Sequence, residues 1–97
     1  MKNFLLILLF LASTAVYGQK ITITGTVTDE KGGSLPGATV LVKGTSQGVL
    51  TDLNGKYSID VTSSNVTLTF SFVGFTPKEV AVLNLTTVNA SLIEDIQ

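Results

Sequence analysis

Asp52-Leu53-Asn54-Gly55 has the Asp-x-Asn-Gly spacing that opens a calcium-binding loop. Such a loop needs further oxygen ligands and a bidentate Glu at its twelfth position. The twelfth residue counted from Asp52 is Ser63, which cannot supply one. The structural alternative is a tight turn. Asp52 would accept hydrogen bonds from the turn backbone, and Asn54-Gly55 would supply positive φ angles. That reading leaves no metal ligand and no cofactor at this position. Asp29 and Glu30 form the other carboxylate pair, but they are neighbours in a polar turn, Asp29-Glu30-Lys31-Gly32-Gly33, and read as solvated. Lys43, Lys56 and Lys78 sit where strand-end charges guard sheet edges against aggregation. No Ser lies in a nucleophile elbow or a Ser–Lys motif. The chain has no Cys and no His, so it lacks a thiol nucleophile, the commonest acid–base group near neutral pH, and the commonest soft metal ligands. These residues predict a protein that is not an enzyme.

Aromatic residues are the remaining candidates for ligand contact. Tyr57, Phe70 and Phe72 fall on the inward phase of their strands and read as core. Phe75 lies between Gly74 and Pro77 at a bend, which makes it the weak ligand candidate. There is no Trp to build an aromatic platform for a sugar.

The elements that would position these residues are short strands. Residues 20–28 alternate Ile21, Ile23, Gly25 and Val27 against four Thr, the period-two pattern of a half-buried strand. Similar runs follow at 38–43, 49–51, 56–61, 66–73, 78–83 and 87–92. Asn-Gly at 54–55 stands between two of them and predicts a hairpin. Val66, Leu68, Phe70 and Phe72 form the most apolar face, worth about 1.5–3 kcal/mol for each side chain fully buried. Seven strands with turn signals between them predict an all-β, seven-stranded antiparallel β-sandwich, since one sheet cannot cover its own apolar face.

Residues 1–18 differ in character. Lys2 precedes an unbroken apolar stretch, 4–12, followed by small residues ending in Val16-Tyr17-Gly18. This is the order of a secretory signal peptide, with cleavage expected after Gly18 and a second candidate after Ala15. The apolar stretch is far short of the roughly 20 residues that span a bilayer. The predicted mature domain, 19–97, keeps five Lys against seven carboxylates, a net charge of −2, and has no Arg. Nothing in it would attract nucleic acid. The Asn-x-Ser/Thr triplets at Asn65, Asn84 and Asn89 read as strand chemistry.

Four motifs in order carry a family resemblance: Thr24-Gly25-Thr26-Val27-Thr28-Asp29, Leu35-Pro36-Gly37-Ala38-Thr39-Val40, Val42-Lys43-Gly44-Thr45, and Thr51-Asp52-x-Asn54-Gly55-x-Tyr57. Phe70-Ser71-Phe72-Val73-Gly74-Phe75 adds a fifth. Together they span nearly all of 21–94. The chain resembles the carboxypeptidase-D regulatory-like domain, in particular the version at the N-terminus of SusC/RagA-type TonB-linked outer-membrane receptors. The resemblance implies a transthyretin-like (prealbumin-like, Ig-like) sandwich without catalytic role. It implies a periplasmic or outer-membrane-associated location in a gram-negative bacterium, in a receptor system that imports glycans or peptides. It also implies structural roles for Gly37, Gly44, Gly55 and Gly74 at turns, with Asp52 bracing its own. In such receptors a TonB box, plug and barrel follow the domain. Here the sequence runs to Gln97 without them, which leaves a receptor fragment or a free-standing module as alternatives. The expected partner is another envelope protein, an outer-membrane receptor or TonB-system component. The alternatives are a small secreted module that binds a glycan and a structural domain detached from a surface peptidase.

Overall fold

The computed structural model describes residues 20–95, so the signal-peptide segment lies outside the described residues. Seven strands are present: β1 (Ile21–Asp29), β2 (Thr39–Val42), β3 (Gly48–Leu50), β4 (Lys56–Val61), β5 (Thr67–Ser71), β6 (Lys78–Ala81) and β7 (Ala90–Leu92). They form a three-stranded sheet, β4-β1-β7, and a four-stranded sheet, β3-β2-β5-β6. The described residues contain no helix, and therefore none long and apolar enough to cross a membrane.

Alternation places the core between the sheets. β4 buries Tyr57, Ile59 and Val61 and exposes Lys56, Ser58 and Asp60. β5 buries Leu68 and Phe70. Ile23 and Val27 of β1, Val40 of β2, Val82, and Leu92 of β7 are the other large side chains that are fully buried. The Tyr57 and Phe70 rings meet edge to face across the two sheets, with centroids 5.6 Å apart. That geometry sets the negative face of one ring against the positive edge of the other.

The expected antiparallel sandwich needs one correction. β7 runs parallel to β1, with Val27 opposite Ala90, Thr28 opposite Ser91 and Asp29 opposite Leu92. The other four pairings are antiparallel. A tight hairpin forces neighbouring strands to be antiparallel, whereas a crossover leaves their direction open. β6 belongs to the other sheet, so the chain crosses the sandwich before β7 and descends beside β1 in the same direction.

The Asn54-Gly55 hairpin is corrected in the same way. Gly55 N–H donates to Asp52 O at 2.9 Å and Asp52 N–H donates to Lys56 O at 2.8 Å, so a hairpin turn does form. Its two arms then separate. Thr51 N–H donates to Ala38 O and stays with β2, while Lys56 pairs with Thr26 of β1. The left-handed conformation is confined to Gly55, with φ 75°; Asn54 does not adopt it. The turn joins the two sheets at one corner, and Gln47 Nε2 ties the same side by donating to Asp60 O of β4.

Four strands, β2, β5, β6 and β7, are shorter than the alternation predicts, β5 and β7 by the most. β5 stops at Ser71 because the chain bends at Gly74, φ 88°, leaving Phe72 half-buried and Val73 93% exposed. β7 begins at Ala90 because Thr26 N–H is taken by the Asn89 side chain, at 2.9 Å, in place of a backbone carbonyl.

Candidate functional site

Residues 72–77 form a bend at the open end of the four-stranded sheet. Phe75 N–H donates to Phe72 O at 3.0 Å, closing a turn that Gly74 completes with its positive φ. The chain beyond β7 holds this bend from the other side. Thr76 N–H donates to Ile93 O at 2.8 Å, Asp95 N–H donates to Gly74 O at 2.9 Å, and Phe75 faces Glu94 in an antiparallel bridge. The rings of Phe72 and Phe75 lie 5.8 Å apart, tilted by 47°, and both are half-buried against the core.

Three depressions meet at this bend. One, of about 330 Å³, is lined by Gly37, Thr39, Ser71, Phe72, Val73, Phe75 and Pro77. A second, of about 240 Å³, lies between the start of β6 and the free side of β7, with Pro77, Lys78, Leu92 and Ile93 in its wall. The third, of about 110 Å³, is a charged notch of Asp29, Glu30, Lys31 and Glu94 against Phe75. Phe75 is common to the first and third, and Pro77 to the first and second. The weak ligand candidate of the sequence therefore stands between an apolar surface and an acidic one.

Of the turn residues, Gly37 joins this region: its φ is 80°, and a Cβ there would lie 4.0 Å from the Phe72 ring. Gly44, φ 83°, faces open space at the end of β2. Asp52, Asn54 and Gly55 lie at the corner between β3 and β4. Asp52 Oδ1 accepts from Lys56 N–H at 2.9 Å and Asn54 N–H at 2.8 Å, and these two bonds, that from Lys56 foremost, hold its carboxyl below the ordinary carboxylate range. Gly55 is required twice over. Its φ is positive, and a Cβ would fall 2.6 Å from Val27 O. Asp29 braces its own turn likewise, accepting from Lys31 and Gly33 N–H. Among the described residues no cluster of His, Cys, Asp or Glu is arranged to hold a metal ion.

The sequence reading missed a second group of residues. Gly25 lies opposite Tyr57 in the β1–β4 register. A side chain on it would enter the Val88 carbonyl group and lie 2.8 Å from Tyr57 Cε1. The Tyr57 hydroxyl passes over that space to donate to Val88 O at 2.6 Å. Burial pushes the Tyr57 phenol up to about 12, so it carries no charge and takes up no proton near neutral pH. Buried Thr51 accepts from Ala38 N–H at 2.9 Å and donates to Leu35 O at 2.5 Å, tying Leu35-Pro36 to β2. An isolated Gly inside a strand pattern is the one signal that pointed at this group.

Lys78 Nζ lies 3.5 Å from the Ser91 backbone oxygen, while the Ser91 hydroxyl donates to Asp29 O. This Ser–Lys neighbour pair therefore does not bring amine and hydroxyl together. The arrangement at the bend offers surfaces for contact.

Comparison with known proteins fits this arrangement. The model of the CarboxypepD_reg-like domain matches residues 23–95, from within β1 through the segment after β7 that braces the bend. The chain belongs to the CarboxypepD_reg-like domain family. Relatives of this CarboxypepD_reg-like domain are TonB-dependent receptors. TonB-dependent receptor P3 of Formosa agariphila is 38% identical over 96 residues, covering 98% of this chain and 10% of the receptor. TonB-dependent receptor SusC of Bacteroides thetaiotaomicron is 36% identical over 70 residues, covering 72% of this chain and 7% of the receptor. The chain thus spans about a tenth of the length of the receptors it matches. Among solved structures, a chain of a type II cohesin–X–dockerin complex of Acetivibrio cellulolyticus superposes with a TM-score of 0.56 at 22% identity. The superposition covers 72% of this chain and 51% of that one, a likeness of fold alone.

Proposed function

We propose that the chain is an exported, non-enzymatic accessory domain of the kind carried by TonB-dependent receptors, acting in the envelope of a gram-negative bacterium by contact with another envelope protein. The observation that carries this reading is the alignment of 98% of the chain to a tenth of a TonB-dependent receptor. The leader-like segment 1–18 supports export, with 19–97 as the mature domain. The surface at residues 72–77 and the acid–base-poor composition support binding over catalysis. The likeness alone assigns no partner, because one fold hosts many functions. The partner fitting the reading is an outer-membrane receptor or a TonB-system component.

The test is expression of the tagged chain in a gram-negative host that makes TonB-dependent receptors, followed by in-cell cross-linking. Recovery of processed protein from the envelope, cross-linked to an identified receptor or TonB-system component, is the expected result. Recovery from the cytoplasm overturns the reading. Retardation on a neutral glycan gel that Phe75→Ala abolishes, without any such cross-link, favours the alternative of a carbohydrate-binding module.

A further inference from the structure

We propose that the bend at residues 72–77 is a docking surface for an extended polypeptide segment that places an apolar side chain beside a Lys or Arg. The inference rests on the interaction-domain reading and adds the chemistry of the partner.

Three observations lead to it. The first is a cluster of adjoining apolar side chains at the bend, two of them among the six exposed large hydrophobics of the described residues. Val73 is 93% exposed and Ile93 59% exposed. Half-buried Phe72 and Phe75 and the ring of Pro77 lie between them and line adjoining depressions. Adjoining exposed apolar side chains rimmed by polar groups are one form that interaction sites take.

The second is charge. Where Phe75 meets the neighbouring notch, three carboxylates, Asp29, Glu30 and Glu94, stand against one cation, Lys31. A cationic side chain entering the notch gains from the net negative field, and the face of Phe75 offers it a cation–π contact. An anionic ligand is repelled. A second copy of this chain would bring the same acidic notch and a net charge of −1, so self-association is disfavoured at this surface.

The third is an open backbone. Val82 N–H donates to Val66 O, so the ladder directs Val80 and Lys78 toward β5. The N–H and C=O groups of Glu79 and Ala81 therefore point outward along β6, the last strand of its sheet. The depression beside Pro77 and Lys78 leads onto this edge. An added strand takes its affinity from such main-chain groups and its specificity from side-chain pockets. An apolar side chain seated near Phe72–Pro77 and a cation in the Glu94 notch would supply that specificity.

Amide shifts of the isotope-labelled full chain provide the test. Three short Ser/Thr-based peptides serve as probes, with central Lys-Leu-Lys, Glu-Leu-Glu or Lys-Ser-Lys. The Lys-Leu-Lys peptide is expected to shift the amides of Val73, Phe75, Glu79, Ala81 and Glu94. The other two peptides should bind at least roughly tenfold more weakly, and raising salt from about 20 mM to about 300 mM should weaken the first. Phe75→Ala should abolish the shifts and Glu94→Lys should reduce them, each with a dispersed spectrum showing that the fold is kept. Equal binding of the three peptides, shifts confined to the β3–β4 corner, no shift at millimolar peptide, or the same shifts with a neutral oligosaccharide would each overturn the proposal. If cross-linking to an envelope partner persists in Phe75→Ala, the docking surface is wrongly assigned while the interaction-domain reading stands. If wild type gives neither peptide shifts nor a cross-link, that reading fails with it.

Discussion

Asp52 illustrates how much of this protein is decided by single backbone contacts. Its Oδ1 accepts two N–H groups of its own turn, from Asn54 and Lys56. Hydrogen bonds to the charged form favour ionisation, which is why the carboxyl lies below its usual value of 3.8. A carboxyl whose folded pKa is depressed contributes stability above the unfolded value, and that contribution is lost as pH falls through the folded one. The melting temperature should therefore drop as acid is added below about pH 4. In Asp52→Asn the amide oxygen can still accept from the turn but no longer titrates, so the drop between pH 7 and pH 3, followed by circular dichroism, should be smaller than in wild type. An equal drop in both proteins would place the acid sensitivity at another carboxylate. The role of Asp52 was legible because Asx-turn chemistry is local and lies within four residues. Gly25 was not legible in this way. The group that forbids its side chain, Val88, is distant in sequence and belongs to a different strand pair.

Strand β1 is the element on which that contact acts. It pairs with β4 along one side and with the 86–92 segment along the other, where Thr24 N–H donates to Thr86 O and Val88 N–H donates to Thr24 O. Gly25→Ala would drive a methyl group into the Val88 carbonyl, and neither rigid backbone can yield cheaply. A loss of about 3 kcal/mol or more is expected in urea unfolding, at the upper end of overpacking costs. The turn before β7 makes the opposite prediction. Leu83 and Asn84 both have positive φ, 53° and 68°, and Leu85 N–H donates to Val82 O, the pattern of a type I′ turn. Asn tolerates this conformation, whereas Leu is strained there by about 1–2 kcal/mol. Leu83 is 70% exposed, so little burial is forfeited by replacing it. Leu83→Asn should raise stability by about 1 kcal/mol, or a few degrees in Tm. These elements also show where sequence reading ends. Alternation located all seven strands, because period two follows from the pleat. It could not give strand direction, so the parallel β7 was missed. It could not separate a hairpin within one sheet from a turn that passes between sheets, so Asn54-Gly55 was read correctly as a turn and wrongly as the link between paired strands. The bend at Phe75 was visible through Gly74 and Pro77, but the acidic notch beside it draws on Asp29, Glu30 and Glu94, from opposite ends of the domain.

At the scale of the whole molecule, those opposite ends are joined by the parallel pairing. Thr26 and Asn89 bond across 63 residues, and Val27 pairs with Ala90. The last strand segment closes the exposed side of β1, receives the Tyr57 hydroxyl at Val88 O, and adds buried Val88, Ala90 and Leu92 to the core. A chain ending at residue 85 would lose all of these at once. β1 would present an unpaired edge, the Tyr57 hydroxyl would lose its buried partner, and Ile23 and Val27 would lose part of their cover. A domain of this size has little stability in reserve. The truncated chain should therefore show no cooperative thermal transition, whereas one ending at residue 95 should melt as the full chain does. Folding should be correspondingly slow, in the millisecond-to-second range of non-local β topologies, because no early local contact can stand in for the β1–β7 pairing. A cooperative melt from the chain ending at 85 would show that the antiparallel strands suffice alone. It would reduce β7 to a brace for the 72–77 bend, through the Thr76–Ile93 and Gly74–Asp95 bonds, with no part in holding the sandwich together.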